Sequence, residues 1–299
     1  MKKAISVAGA TGNLGNRICR ELLTRGASVS AIVRESTDPG KIETLLKMGV
    51  NVIEADPNNV DAIGHACKGV HCVVSALAGL SDVIVGVQKT ILDGALQAGV
   101  PRFIPSDFCT DYNDLVPWPN RNFDLRRDFK TYLDSTSIKA ASIFNGAFAD
   151  ILKYNTPVLN VKDKRIAYWG DKADWKLDFT TMDNTAAFTA EVALDDDAPR
   201  DLQIASFQVS PNMIWAEVKE ITGEEFSLHE MSGLEDFAQS IKKQRAENPA
   251  GENELYAKWQ QAQYMYSMFT THHQQLDNDR YPNLTWTTSK AFLQSFVKR

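Results

Sequence analysis

Seven residues near the start of the chain, Gly9-Ala-Thr-Gly12-Asn-Leu-Gly15, restrict its architecture more than any other stretch. They follow the compact apolar run Ala4–Ala8 and open the helical pattern Leu14–Thr24. Glycines at such a junction permit a tight turn and let the backbone approach a pyrophosphate. The helix behind them supplies unpaired N–H groups and the positive end of its dipole. Three glycines between a buried strand and a helix therefore predict a dinucleotide loop built from Gly9, Thr11, Gly12, Asn13, Leu14 and Gly15. An ordinary strand-to-helix turn using glycine for positive φ is the plainer account. The Met-Lys-Lys-Ala start superficially resembles a signal peptide, but its apolar run breaks at once into Gly-Ala-Thr-Gly and reads as a first strand.

Strand and helix signals then alternate with short punctuation. Strands are expected at Val29–Val33, Val50–Glu54, Val70–Ser75, Arg102–Pro105 and Ala140–Phe144. Helices are expected at Lys41–Lys47, Val60–Cys67, Val83–Gln97 and Phe123–Ser135. Right-handed crossovers between such strands give a parallel sheet covered on both faces, whose strands read as continuous apolar runs. This predicts an α/β, doubly wound parallel Rossmann sheet of order 3-2-1-4-5-6, with a smaller α+β C-terminal substrate region. The boundary falls between 1–152 and 153–299, with 178–207 returning to the Rossmann core. In the second half, Arg165–Trp169 and Asp178–Thr181 read as strands around a turn, and Gln203–Phe207 as another. Leu255, Trp259, Ala262, Tyr266 and Phe269 recur at one-helix-face spacing.

Composition narrows the function classes. The chain is 43% hydrophobic and 23% charged, as a globular protein is, and its net charge is −6. A mildly acidic chain has no global electrostatic reason to bind nucleic acid or an anionic membrane. Runs such as Val70–Leu80 are too short to span a bilayer. Cys19, Cys67, Cys72 and Cys109 form no Cys-x-x-Cys pair, and read as buried free thiols of a cytoplasmic protein. His272 and His273 are adjacent and cannot chelate as an i,i+4 pair would, so no metal is expected.

The residue after the second strand bears on the cofactor. Arg34 offers a guanidinium fork suited to a ribose 2′-phosphate, with Ser36 and Lys41 as helpers. NADP(H) is therefore favoured over NAD(H), although Glu35 turned inward would favour NAD. Asp56 ends the third strand and either contacts adenine or closes a helix N-cap or Asx-turn. Ser75, Ala76 and Leu77 follow strand four, where small residues let backbone pass close to a cofactor ribose.

Several segments together resemble the NmrA-like and isoflavone-reductase-like group of atypical short-chain dehydrogenases. They are the G-x-x-G-x-x-G loop; Gln88 with Gln97-Ala-Gly-Val-Pro-Arg-Phe-Ile-Pro-Ser-Asp-Phe108; Ile143-Phe-Asn-Gly-Ala-Phe148; Asp178-Phe-Thr-Thr-Met-Asp-Asn; and Asp279-Arg-Tyr-Pro282 with Trp286. Their order is right along nearly the whole chain. The resemblance implies that Phe144 and Asn145 lie beside a nicotinamide. It also implies reduction of a small aromatic or carbonyl-containing substrate, with an acid/base lysine on the helix after the Pro-Ser-Asp-Phe loop.

Ungapped matching puts Arg126 at that lysine position. Arginine stays protonated and is a poor acid/base group, but it polarises a carbonyl. Lys130 lies four residues on, along the same helical face. Either serves as the catalytic cation, or both are surface charges. The one Tyr-x-x-x-Lys match, Tyr168-Trp-Gly-Asp-Lys172, falls outside the helix that would present it and is rejected. Phe108, Phe148 and Tyr264 are candidates for lining a flat apolar substrate pocket. The reading of a different class is a non-catalytic NADP(H) sensor acting through a protein partner, favoured by Arg126 and by the missing Tyr-x-x-x-Lys. A homodimer is left open.

Overall fold

The computed structural model describes residues 2–113, 115 and 120–298. Its first strand, β1 (Ala4–Ala8), is apolar and almost wholly buried, and it leads through the glycine loop into α1 (Asn13–Thr24). The alternation continues with β2 (Ser28–Val33), α2 (Pro39–Met48), β3 (Asn51–Glu54), α3 (Val60–Ala66) and β4 (Cys72–Ser75). After β4 come α4 (Gln88–Gln97), β5 (Arg102–Ile104), α5 (Arg121–Asp134), β6 (Lys139–Ala140) and β7 (Ser142–Phe144). A π-helical turn, Asp82–Val87, runs directly into α4. Local chemistry starts the helices: Asp38 accepts from the Lys41 N–H with Pro39 at the first position, and Asn59 accepts from the Ala62 N–H.

The central sheet has the order β3-β2-β1-β4-β5-β6, and every pair in it is parallel. This is the doubly wound order expected. Ile63, Val73, Leu92, Phe103 and Phe129 pack into one core against it. The sixth strand departs from expectation. Ala140–Phe144 is not one strand: Lys139–Ala140 pairs with β5, whereas Ser142–Phe144 leaves the sheet. It pairs instead with β11 (Asp201–Gln203), drawn across by the bond from Ser142 N–H to the Arg200 carbonyl.

The chain next forms β8 (Ala147–Phe148), β9 (Arg165–Tyr168), β10 (Leu177–Thr180), α6 (Met182–Leu194), β12 (Phe207–Val209), α7 (Pro211–Thr222) and β13 (Ser227–Glu230). It closes with α8 (Leu234–Glu247), α9 (Lys258–Thr270) and α10 (Ser289–Val297). Two expectations change here. The strands β9 and β10 do not pair with each other. β9 pairs in parallel with β13, and β10 lies between β12 and β8, because a helical turn at Lys172–Asp174 separates them. Gln203–Phe207 is likewise two strand ends with a break between, since Asn278 takes the N–H and carbonyl of Ala205.

The backbone divides into two compact units. One holds residues 1–108, 122–143 and 185–202, and the other 109–121, 144–184 and 203–299. The division is therefore not a single cut near 152. Of the segment 178–207, only 185–202 joins the first unit, while β10 belongs to the second unit's three-stranded sheet. Lys3 donating to the Leu194 carbonyl and Arg25 pairing with Glu191 fasten α6 to the first unit. The second unit has its own core, with Trp169, Phe179, Val209, Ile214 and Phe269. Among the described residues, no helix is long and apolar enough to cross a membrane.

Candidate active site

The glycine loop is shaped by contacts that no side chain could share. Gly9 has φ +81°, and a Cβ there would stand 2.4 Å from the Ala76 carbonyl oxygen. A Cβ on Gly15 would stand 2.2 Å from the Gly9 carbonyl oxygen. Both glycines are thus demanded by the fold: Gly9 lets β1 pass against the residues after β4, and Gly15 lets α1 start beneath the turn. The Ala76 N–H donates to the Ala8 carbonyl at 2.8 Å, so Ala76 and Leu77 lie beside the loop as expected, next to the buried Ser75.

Gly12 differs. A Cβ there would meet nothing but the Gly9 carbonyl oxygen at 3.3 Å. Beside it is a cavity of about 300 Å³, lined by Thr11, Gly12 and Asn13, by Asn16, Arg17 and Arg20 of α1, and by Lys41 and Thr44 of α2. Three cations and no carboxylate face this space. No side chain caps α1, no acidic residue stands in its first turn, and α2 also lacks an acid there. The amino end of α2 is capped by the Asp38 carboxylate, whereas at the amino end of α1 positive charge opposes the helix dipole and an anion bound there would be stabilised. Asn13 accepts from Arg17 Nε at 2.9 Å and Asn16 from Arg20 at 3.4 Å, which draws both guanidiniums back toward the loop. The donor set fits a dinucleotide phosphate.

Two other cofactor candidates are placed differently. Arg34 is exposed at the end of β2 and is not among the cavity residues, where Arg17, Arg20 and Lys41 stand instead. The Asp56 carboxylate accepts from the Asn58 N–H at 2.9 Å, closing the Asx-turn that was one of its two readings.

Beyond β5, a network organises the loop Ser106–Phe108. The buried Gln88 side chain accepts from the Ser106 N–H at 2.8 Å and donates to the Ile84 carbonyl. Ser106 Oγ donates to the Leu77 carbonyl at 2.6 Å. Arg126 lies on α5, and its Nε donates to the Ser106 carbonyl at 3.0 Å while Nη1 donates to Asn122. Asp107 is buried and accepts from Ser142 Oγ at 2.7 Å, and Ser142 Oγ in turn accepts from Arg200 at 2.6 Å. Arg200 also binds Asp134, the residue with which Lys130 pairs. Burial raises the Asp134 carboxyl, but the bonds from Lys130 and Arg200 outweigh it and hold the group below the usual carboxylate range. Arg126 therefore joins the loop after β5, whereas Lys130 belongs to a partly exposed ion cluster. Phe108 is buried in the same unit.

In the second unit, Phe144 and Asn145 are fully buried. The Asn145 carbonyl accepts from Thr180 Oγ1 at 2.6 Å, while its side-chain amide is buried with no hydrogen-bond partner. Phe148 and Tyr264 are half-buried. Tyr168 lies on β9, and the Lys172 ammonium sits over the Trp175 ring at 4.2 Å.

Ser106, Asp107, Ser142, Arg200 and Arg121 were not singled out as site residues. Arg121 donates to the carbonyls of Gly251, Glu252, Glu254 and Leu255, so those residues form an irregular clamp and the helix whose apolar spacing starts at Leu255 begins only at Lys258.

Sheet order, crossovers and loop position define a protein of the Rossmann class. The profile of the NmrA-like family matches residues 1–290, and the chain belongs to that family. Its relatives include pinoresinol reductase 1 of Arabidopsis thaliana, 24% identical with 99% of this chain and 98% of that protein covered. Eugenol synthase 2 of Clarkia breweri is 28% identical over 72% of this chain and 71% of its own. Among solved structures, an isoflavone reductase aligns with a TM-score of 0.82 at 19% identity, covering 99% of this chain and 100% of the other. AtPrR2 with NADP+ and (+)pinoresinol aligns with a TM-score of 0.80 at 22% identity, with 99% of each chain covered.

Proposed function

We propose that the protein is an NADPH-dependent reductase of a small aromatic or carbonyl-containing compound. The observation that carries this reading is the carboxylate-free cavity at the Gly12 turn, where Arg17, Arg20 and Lys41 face the amino end of α1. Reductases among the relatives, one of them solved with NADP+ and an aromatic compound, support the choice of nucleotide and substrate class. When bound, the nicotinamide supplies a hydride to an electrophilic carbon of the substrate.

The chain's own residues do the rest. The amides of the glycine loop and the cations of α1 and α2 hold phosphate, with Arg34 and Lys41 as candidates for the 2′-phosphate. Arg126, tied to the Ser106 carbonyl, supplies a fixed positive charge where negative charge develops on the substrate. It acts by charge, because a guanidinium does not give up its proton. We assign this role to Arg126 in preference to Lys130, whose ammonium is engaged by Asp134. Phe108, Phe148 and Tyr264 are proposed to line the substrate, and Phe144 and Asn145 the nicotinamide. Four buried free cysteines suit a reducing cytoplasmic setting.

The test is NADPH consumption by purified protein, followed at the nicotinamide absorbance band against quinones, enones and aromatic aldehydes. Arg126→Ala is expected to lower turnover about 10²–10³-fold while NADPH still binds. Tight NADPH binding without turnover of any compound would replace the reductase with a nucleotide sensor. Failure to bind NADPH would remove both.

A further inference from the structure

Gln88 stands where the π-helical turn Asp82–Val87 passes into α4, and it is fully buried. Its own N–H goes to the Val83 and Val85 carbonyls, passing over Ile84. The side chain reaches the group so bypassed: Nε2 donates to the Ile84 carbonyl at 2.8 Å, while Oε1 accepts from the Ser106 N–H at 2.8 Å. One amide thus spends its donor and its acceptor on two separate backbone segments. π-Helical turns are rare and recur at functional positions. This one is also held from the β4 side, since a Cβ on Gly79 would stand 2.4 Å from the Val83 Cβ.

Gln88 fixes a stretch that the sheet does not. β5 ends at Ile104, and Pro105 has no N–H with which to continue the ladder. Past it, side chains set the backbone. Gln88 takes the Ser106 N–H, Ser106 Oγ donates to the Leu77 carbonyl after β4, and the Ser106 carbonyl accepts from Arg126 Nε. Each polar group of Ser106 is therefore engaged by a different part of the unit. The bond from Arg126 to Asn122 stays within α5, whereas the bond to Ser106 references the guanidinium to the ends of β4 and β5.

We propose that Gln88 is a positioning residue: by fixing Ser106 it fixes the Arg126 charge relative to the end of β4, against which the nucleotide loop packs at Gly9. Misplacing a group at a reacting centre by about 1 Å lowers a rate by up to about 100-fold. That this charge serves hydride transfer rests on the reductase reading; its placement by Gln88 does not.

The experiment follows the Arg126 Nε–H by NMR in protein isotopically labelled at the arginine Nε, with the signal assigned by its loss in Arg126→Ala. Wild type is expected to show a slowly exchanging Nε–H. Gln88→Met, which keeps the volume and makes neither bond, is expected to exchange it at least about 10-fold faster. The Arg25 Nε–H, bonded to Glu191 in the same unit, should not change, which separates local release from general loosening. In turnover of the quinones, enones and aromatic aldehydes, Gln88→Met is expected to lower kcat about 10–100-fold and leave the KM for NADPH within about 2-fold. In an Arg126→Ala background it should have no further effect. The proposal is overturned if the wild-type Arg126 Nε–H exchanges like that of an exposed arginine, or if Gln88→Met leaves it protected. It is overturned equally if the Arg25 signal loosens as much, or if the two losses of turnover multiply. Should Gln88→Met not accumulate, Gln88→Asn, whose shorter amide cannot span Ile84 and Ser106, is read in the same way. Absence of any turnover by wild type, with the exchange rates as expected, would remove the reductase reading and leave the placement of Arg126 by Gln88 standing.

Discussion

Three glycines stand in one loop for two different physical reasons. Gly9 and Gly15 have backbone where a side chain would go, at 2.4 and 2.2 Å. Gly9→Ala and Gly15→Ala should each destabilise the protein by about 1–3 kcal/mol or more, read as a lowered denaturant midpoint. Gly12→Ala should leave that midpoint nearly unchanged and weaken NADPH binding, because its added methyl group occupies space a phosphate would use. Comparable unfolding in all three variants would refute the distinction. For the 2′-phosphate, Arg34→Ala and Lys41→Ala should weaken 2′,5′-ADP about 10-fold, roughly 1.4 kcal/mol, and spare 5′-AMP. An Arg34→Ala protein that binds both nucleotides normally would assign the phosphate to the cavity cations alone. At this scale the loop was legible because its chemistry is contiguous. The Ser106 network was not, since Gln88 lies 18 residues before Ser106, Ser142 lies 35 after Asp107, and Arg200 a further 58 on. No local pattern announces pairs made by the fold.

Among the elements, those with their own caps appear where expected, as α2 and α3 do behind Asp38 and Asn59. Those decided by a distant partner do not. β7 parted from β6 because Arg200 draws it to another strand, and α9 starts late because Arg121 takes the preceding carbonyls. The segment after α9 carries a further consequence. His273 is buried, with its ring 3.7 Å from Asp178, whose carboxylate accepts from the His273 N–H and from Gln208. Burial pushes the imidazole below its ordinary value of 6.5, and the Asp178 and Asp111 carboxylates only partly oppose this, with His272 adding to the lowering. The folded state thus prefers neutral His273. Its contribution to stability is complete above about pH 6.5 and is lost as the pH falls through the depressed value, because the unfolded chain then binds the extra proton. Melting temperatures measured from pH 7.5 to 5 should fall, with a slope worth at most about 1.4 kcal/mol per pH unit from this group. His273→Gln should flatten that part of the profile. An unchanged slope would show that other groups set it.

For the molecule as a whole, the thiols report integrity. Cys19, Cys67, Cys72 and Cys109 are buried and free. Burial pushes the Cys19 and Cys72 thiols up to about 12 and Cys67 to about 11. An aromatic disulfide reagent at pH 8 should therefore release almost no thiolate from the native protein and 4 equivalents after denaturation. Rapid modification of a thiol in native protein would contradict the packing. The doubly wound sheet was readable from strand and helix alternation, but the assignment of segments to units was not, since it depends on contacts such as Arg25 with Glu191.

That interleaving also governs the order in which the protein can be made. The nucleotide-binding unit begins at residue 1 but needs 185–202 to cover it, out of a chain of 299. On the ribosome, the sheet strands emerge well before α6, the helix that Lys3 and Arg25 hold, and they remain without it until residues 185–202 have been synthesised. The interval in which nascent strands are open to wrong partners is thus set by where in the gene one helix is encoded.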